Sequence, residues 1–196
     1  MGDRNQLIYL RHVLPRVDGP ILEVGSKEYG STSSFRGFYE SPEYVGIDMA
    51  AGEGVDHVVD LTQSIGPLRE GHFALAICCS VLEHTPTPWL FAQNLERLVR
   101  PGGQLYISVP WVWRYHPYPD DYFRFSQRGV RALFAGFDWA HACYTTNVVG
   151  EFYDIPEVDP GIDDHLRAIL PNAQGHKRAY LPYLMVNMLG TRRDAA

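Results

Sequence analysis

The chain has little of what marks secreted or nucleic-acid-binding proteins. Its 196 residues include only three cysteines, and two of them, Cys78 and Cys79, are adjacent, which suits neither a disulfide framework nor a zinc site. Lys and Arg total 17 against 23 Asp and Glu, so the net charge of −6 provides no broad basic surface for a phosphate backbone. We therefore expect reduced cysteines and no nucleic-acid partner.

Long hydrophobic runs are also missing. The longest ones, such as FALAICC at residues 73–79, are far shorter than the roughly 20 apolar residues that cross a bilayer. The segment MGDRNQLIYLRHVL carries charges where a signal peptide would be apolar. These features predict a cytoplasmic protein with no membrane partner, and they leave the oligomeric state open.

What the chain does have is apolar content for one compact domain. Hydrophobic residues make up 45% of it and aromatic residues 13%. Leu7, Leu10 and Leu14 recur at helical spacing, which predicts an N-terminal helix within residues 1–19 that ends or bends at Pro15.

Short apolar runs predict an α/β fold. Five runs have the length of strands and are nearly continuous in apolar character, as buried parallel strands are. A helix that begins at Thr87 and Pro88 separates the fourth run from the fifth, which predicts a right-handed crossover. With two strand-like segments near 137–145 and 183–189, the prediction is a doubly wound, mostly parallel, seven-stranded sheet with helices on both faces. The five runs are Ile21 to Val24, Tyr44 to Ile47, His57 to Leu61, Phe73 to Cys78 and Leu105 to Val109.

The ends of the first two runs favour a nucleotide cofactor. Gly25, in ILEVGS, would let the backbone approach a ligand closely, although a plain strand-to-helix turn also uses glycine. Asp48, in YVGIDM, can accept both hydroxyls of a ribose, and Met49 offers an apolar face to a base. A solvated loop aspartate is the alternative interpretation of Asp48.

The ordered segments ILEVGS, YVGIDM, VVDLT, FALAICCSVLEH and LVRPGGQLYISVP resemble the motifs of class I, type 11 methyltransferases. The resemblance is close over residues 21–110 and looser beyond. It implies a Rossmann-like methyltransferase domain over residues 1–196 and S-adenosyl-L-methionine as the cofactor. It also implies three contacts at the methionine end of the cofactor: Glu23 reaches the amino-acid end, Gly25 and Ser26 line the methionine part, and Cys79 and Ser80 contact the methionyl group through backbone atoms. At the nucleoside end it implies that Asp48 holds the ribose and that Asp60 and Leu61 lie by the adenine.

The glycine-rich first motif departs from the family. Lys27 and Tyr29 occupy the second and third of the three usual glycine positions, and Gly30 follows, so the loop should take a different path. Two assignments have structural alternatives as well: Glu23 could simply accept hydrogen bonds from loop amides, and Asp60 could cap the segment after it.

The loop after the fifth run, PWVWRYHPYPDDYFRFS, is the predicted acceptor site. His116 is the leading candidate for a general base, because an unperturbed imidazole titrates near pH ~6.5. Asp121 would orient it or the acceptor. His84 is the reserve candidate, with a structural histidine as the alternative. The resemblance of HPYPDDYFRF to type 11 relatives encoded with sugar-modifying enzymes implies a small polar acceptor, such as a sugar or a natural-product intermediate.

The same loop has a purely structural interpretation, in which it is packed aromatic structure and Arg124 pairs with Asp120 or Asp121. Two neighbouring acids are too few ligands to indicate a cation site, so we predict no metal. Residues 150–177 combine Pro, Gly and many acids with weak periodicity, which predicts an irregular insertion before the last strand. It would either shape the acceptor pocket or its lid, or be a solvated surface segment.

Two other functions stay open. A nicotinamide-dependent oxidoreductase could share this topology, but it would need a Gly-x-Gly-x-x-Gly turn, which Gly25 and Gly30 fit poorly. A catalytically silent module that binds S-adenosylmethionine is the second alternative, because motifs for binding outnumber motifs for chemistry.

Overall fold

The computed structural model describes residues 2–30, 34–155 and 183–194. These residues form one eight-stranded sheet in the order β3-β2-β1-β4-β5-β8-β6-β7, together with three α-helices. The helices are α1 (Gly2–Val13), α2 (Pro88–Leu98) and α3 (Gln127–Leu133). The strands are β1 (Ile21–Val24), β2 (Tyr44–Asp48), β3 (His57–Val58), β4 (Phe73–Cys79), β5 (Val99–Trp113), β6 (Phe137–Thr145), β7 (Phe152–Asp154) and β8 (Tyr183–Arg192).

The sheet is mostly parallel, and the predicted fold class is confirmed. Strand β1 pairs in parallel with β2 and β4, β2 with β3, and β4 with β5. Strand β8 runs antiparallel between β5 and β6, and β7 pairs antiparallel with β6. Strand β6 therefore has the same direction as β5.

Each face of the sheet carries its own apolar layer because strand side chains alternate. Ile21 of β1 packs in one cluster with Leu10 of α1. Leu22, the next residue, packs in the other cluster with Leu95 of α2 and residues of α3. Helices thus cover both faces, as predicted.

Some element boundaries agree with the predicted ones and others differ. Helix α1 ends at Val13, in agreement with the predicted end or bend at Pro15, because Pro15 disfavours helical backbone at the residue before it. Strand β3 ends at Val58, since Asp60 starts a turn in which it accepts hydrogen bonds from Thr62. Strand β7 was not among the seven predicted strands. It lies in the predicted insertion, most of which falls outside the described residues.

Buried polar side chains attach α1 to the sheet. Gln6 Nε2 donates to Ser108 Oγ of β5 at 2.9 Å. Asn5 donates to the carbonyl oxygens of Thr146 and Val148 and accepts from the amide of Gly150 at 2.8 Å. These bonds tie the helix to β5 and to the segment after β6. None of the described helices is long and apolar enough to span a membrane.

Candidate active site

The predicted cofactor residues lie at one edge of the sheet. Val24, at the end of β1, is aligned with Ile47 of β2 and Cys78 of β4. Gly25, Asp48 and Ser80, which follow or close these strands, therefore meet at the carboxyl edge. In an open parallel sheet this edge is where ligands bind.

Gly25 is required by its backbone conformation and by its neighbour. Its φ is +78°, and a Cβ atom placed on it would lie 2.4 Å from Cγ2 of Val81. Its amide donates to the carbonyl oxygen of Ile47 at 2.8 Å, which fixes the turn against β2. No larger residue fits this position without displacing Val81.

Backbone amides hold the carboxylate of Asp48 at the end of β2. Oδ1 accepts from the amide of Ala50 at 3.0 Å, and Oδ2 accepts from the amide of Lys27 at 3.4 Å. Each carboxylate oxygen has a second lone pair, so Asp48 can still accept two hydroxyls. Met49, beside it, is 62% exposed and offers apolar surface next to this carboxylate.

Glu23 is buried in β1 and accepts a hydrogen bond from the hydroxyl of Tyr44 at 2.6 Å. Burial raises the pKa of this carboxyl, while the hydrogen bonds from Tyr44 and the backbone of Phe35 act in the opposite direction. Glu23 therefore has local partners, and a direct contact with the cofactor stays a prediction. Ser26 is buried as well, and its Oγ has no hydrogen-bond partner within the described part of the chain.

The remaining predicted cofactor residues differ in exposure. Asp60 is exposed and caps its own turn through Thr62, as its structural alternative anticipated, whereas Leu61 is buried in the core. Ser80 has a φ of +54°, a left-handed conformation that is uncommon for a residue other than glycine. Its amide donates to the carbonyl oxygen of Ser108 at 2.8 Å, and Cys79 pairs with Ser108 in the sheet.

The loop after β5 folds back over this edge. Its end is attached by the amide of Phe125, which donates to the carbonyl oxygen of Pro110 at 3.0 Å. The ring of Tyr118 meets the ring of Tyr29 edge to face, with centroids 5.7 Å apart. Tyr29 is one of the residues that replace the usual glycines, so this replacement joins the first-motif loop to the predicted acceptor loop.

The three predicted catalytic residues come together in this loop region. The rings of His84 and His116 have centroids 4.9 Å apart. Asp121 Oδ2 accepts from the amide of His116 at 2.9 Å and lies 3.2 Å from its Nδ1. Arg124 donates to both oxygens of Asp121, at 2.5 and 2.7 Å, and this pairing holds the pKa of Asp121 well below its usual range. Burial lowers the pKa of His116, while the hydrogen bond to the backbone carbonyl oxygen of Arg114 and the charge of Asp121 act in the opposite direction.

Sequence reasoning missed Glu83, which lies in a short 3₁₀ turn, Leu82–His84, after β4. Its carboxyl is fully buried, and its Oε1 lies 3.9 Å from His84 Nε2 and 3.8 Å from His116 Nε2. Burial raises its pKa to about 8. We call Glu83, His84 and His116 the Glu83 cluster. The available signal was an acid within SVLEH, directly after a strand whose side chains are apolar.

Comparison with known proteins agrees with this geometry. The family described as "Methyltransferase domain" matches residues 29–107. The ubiquinone biosynthesis O-methyltransferase of Pectobacterium atrosepticum is 28% identical over 83 residues, which are 36% of this chain and 34% of that protein. The protein with the same name in Xanthomonas oryzae is 33% identical over 55 residues, 28% of this chain and 23% of that protein. The chain thus spans well under half of the length of these relatives.

Solved structures share the fold. A putative methyltransferase of Haloferax volcanii, solved in complex with the Trm112 methyltransferase activator, has a TM-score of 0.61 at 14% identity and covers 98% of this chain and 91% of its own. A Burkholderia thailandensis 1,6-didemethyltoxoflavin-N1-methyltransferase, solved with S-adenosylhomocysteine, also has a TM-score of 0.61 at 14% identity, covering 96% and 77%. At these identities the likeness shows the fold alone.

Sheet order and the family match agree with each other. The described residues share the fold of these solved methyltransferases. Residues 29–107 match the methyltransferase domain family, and the resemblance predicted from the motifs is confirmed.

Proposed function

We propose that this chain is an S-adenosylmethionine-dependent methyltransferase that acts on a small polar acceptor with a hydroxyl nucleophile, such as a sugar or a natural-product intermediate. The observation that carries the proposal is the meeting of two half-sites at one sheet edge. Asp48 and Gly25 supply a nucleotide half-site, and the Glu83 cluster with Asp121 supplies a polar half-site under the loop after β5. The family match and the O-methyltransferase relatives support it.

The cofactor assignments follow the strand ends. Asp48 accepts the ribose hydroxyls, and Gly25 lets the methionine part pass close to the backbone. Ser26 Oγ is a buried polar atom near this turn that makes no hydrogen bond within the described residues, so it is free to bond to the cofactor. The full proposed set is Glu23, Gly25, Ser26, Asp48, Met49, Asp60, Leu61, Cys79 and Ser80.

The chemical step needs a nucleophile in line with the methyl group. The acceptor hydroxyl loses its proton, its oxygen bonds to the methyl carbon, and the carbon–sulfur bond breaks with the electron pair going to sulfur. His116 is the proposed general base. Asp121, fixed by Arg124, orients its ring, and His84 is the reserve candidate.

The alternatives receive less support. The family match favours methyl transfer over a nicotinamide-dependent oxidoreductase, and the side chains at the Glu83 cluster favour an active enzyme over a silent binding module. A cytoplasmic location and the absence of nucleic-acid and membrane partners, which the sequence predicts, belong to this proposal.

Calorimetry with S-adenosylhomocysteine tests the cofactor half-site. Asp48→Ala should weaken binding by about 1.5 to 3 kcal/mol, since hydrogen bonds to the charged carboxylate are lost. Asp138→Ala is the matched control, because Asp138 is an exposed carboxylate on β6. Equal affinities for the two variants would remove the assignment of Asp48.

Methyl release on a panel of polyhydroxylated acceptors tests the chemistry. His116→Ala should lower turnover by about a hundredfold to ten-thousandfold while cofactor affinity stays near the wild-type value. Full turnover of this variant on the true acceptor would refute the base role. Wild-type protein that binds the cofactor but methylates nothing would favour the silent module.

A further inference from the structure

The Glu83 cluster brings three ligand-type atoms together from two separate segments. Glu83, His84 and His116 each place one ligand-type atom within 4.8 Å of the other two, and Glu83 Oε1 lies 3.9 Å from His84 Nε2 and 3.8 Å from His116 Nε2. The 3₁₀ turn after β4 supplies the first two, and the loop after β5 supplies the third. The loop is attached to this turn, because the amide of Tyr122 donates to the carbonyl oxygen of Glu83 at 2.7 Å.

The hydrogen bond made by Nδ1 of each histidine fixes the tautomer of its ring. His84 Nδ1 lies 2.7 Å from the carbonyl oxygen of Asp120, and His116 Nδ1 lies 3.2 Å from that of Arg114. A carbonyl oxygen only accepts, so each Nδ1 carries the hydrogen. In the neutral rings each Nε2 atom then carries a lone pair and is an acceptor, and both Nε2 atoms lie near the same oxygen of Glu83.

With Glu83 ionised, as a carboxylate that binds a metal must be, three acceptor atoms face one another without a donor between them. Neither oxygen of Glu83 has a hydrogen-bond partner among residues 2–30, 34–155 and 183–194, although its side chain is fully buried. His116 Nε2 is buried and lacks a partner in the same set. The Oε1–Nε2 separations of 3.8 and 3.9 Å exceed hydrogen-bond length. Such an arrangement is stabilised by a cation that all three atoms share.

We propose that Glu83, His84 and His116 bind a divalent metal ion of the zinc type through Oε1 and the two Nε2 atoms. Two imidazoles and one carboxylate are a ligand set that zinc and similar transition metals prefer, whereas magnesium and calcium prefer oxygen. Ligand atoms of tetrahedral zinc lie about 3.4 Å apart, so small side-chain shifts close the observed separations.

The surroundings fit a metal site. Histidines that bind metals usually donate their other ring nitrogen to a carbonyl or carboxylate, as both rings do here. The nearby cationic Arg124 is already paired with both oxygens of Asp121, so its charge is balanced. The sequence predicted no metal, because only Asp120 and Asp121 were considered as ligands. Neither residue belongs to the Glu83 cluster.

This inference rests on the proposed function only for the role of the ion. Three protein ligands leave a coordination position for an acceptor hydroxyl, which the ion would orient and acidify. With the ion bound, the lone pair of His116 Nε2 would be used as a ligand, so the base role proposed above for His116 would apply only to the metal-free site, and the acceptor proton would leave to solvent. The binding itself needs neither cofactor nor acceptor.

The test is metal binding by chelator-treated full chain, measured by calorimetry without any other ligand. We expect one equivalent of Zn²⁺ per chain and much weaker binding of Mg²⁺. Co²⁺ should give the absorption of a tetrahedral site. Glu83→Gln and His116→Asn should each weaken Zn²⁺ binding by more than about a hundredfold, since losing even outer-shell partners costs about ten- to a hundredfold.

His72→Asn is the matched control, because His72 and Glu43 form a histidine–carboxylate pair at 2.9 Å that belongs to no three-ligand group among the described residues. It should bind Zn²⁺ like the wild type. Circular dichroism confirms that each variant is folded, and His84→Asn replaces any that is not. Absence of stoichiometric Zn²⁺ binding, equal loss in His72→Asn, or a preference for Mg²⁺ would overturn the proposal. None of these results bears on cofactor binding, which the Asp48→Ala experiment tests separately.

Discussion

Replacement of Gly25 by alanine measures how much of the free energy of unfolding depends on the absence of a Cβ atom in the turn after β1. A non-glycine residue in left-handed conformation costs roughly 1–2 kcal/mol. The new Cβ would also lie 2.4 Å from Val81 Cγ2. Ordinary carbon contacts are about 3.5–4.0 Å, and overpacking of this kind costs about 1–3 kcal/mol. Gly25→Ala should therefore lower the free energy of unfolding by about 2–5 kcal/mol in total.

Gly102→Ala separates the two contributions. Gly102 has a φ of +69°, and a Cβ there would meet nothing within 4 Å. This variant should lose only the conformational part, about 1–2 kcal/mol. Urea unfolding followed by circular dichroism gives both values. The double variant Gly25→Ala, Val81→Ala should recover the steric part. Equal destabilisation by Gly25→Ala and Gly102→Ala would refute the close approach of Val81.

Three further outcomes follow from the described contacts. Leu95→Ala should lower the free energy of unfolding in urea by about 2–5 kcal/mol. Leu90 lies on the same helix but is 40% exposed, so Leu90→Ala should lower it far less, and similar losses would contradict the assignment of the core face. A double-mutant cycle of Tyr29→Ala and Tyr118→Ala should give a coupling of about 0.5 kcal/mol, and zero coupling would mean that the two loops do not touch in solution. Glu23→Gln should raise the melting temperature increasingly as the pH rises above the ordinary glutamate value of 4.5. Burial raises the folded-state pKa of Glu23, so its stabilising contribution is full below that value and is lost as the pH rises through the folded-state pKa.

The sheet was predictable because its signals are local. Continuous apolar runs gave β1, β2 and β4, and the helix between β4 and β5 begins at Thr87 and Pro88, where the sequence predicts. The side-chain alternation that separates Ile21 from Leu22 follows from strand geometry alone. Strand β7 escaped prediction because its three residues have no pattern of their own and depend on pairing with β6.

The polar half-site was only partly predictable, for a different reason. His116 and Asp121 stand in one conspicuous loop, and their proximity could be inferred from spacing. Glu83 becomes a buried, unpartnered carboxyl only when residues more than thirty positions further along the chain fold over it. The tautomers of the histidines depend likewise on carbonyl oxygens of Asp120 and Arg114, which no side-chain pattern reveals.

The attachment of the loop after β5 has an evolutionary consequence. Main-chain bonds fix it at Phe125 to β5 and at Tyr122 to the 3₁₀ turn. The rings of Tyr115 and Tyr118 are mostly exposed, outside the apolar core that stabilises the sheet. Mutations at these two positions can therefore accumulate at little cost to folding. Under the proposed function, the loop is therefore a part of the molecule where new acceptor preferences can arise while the cofactor half-site and the core stay unchanged.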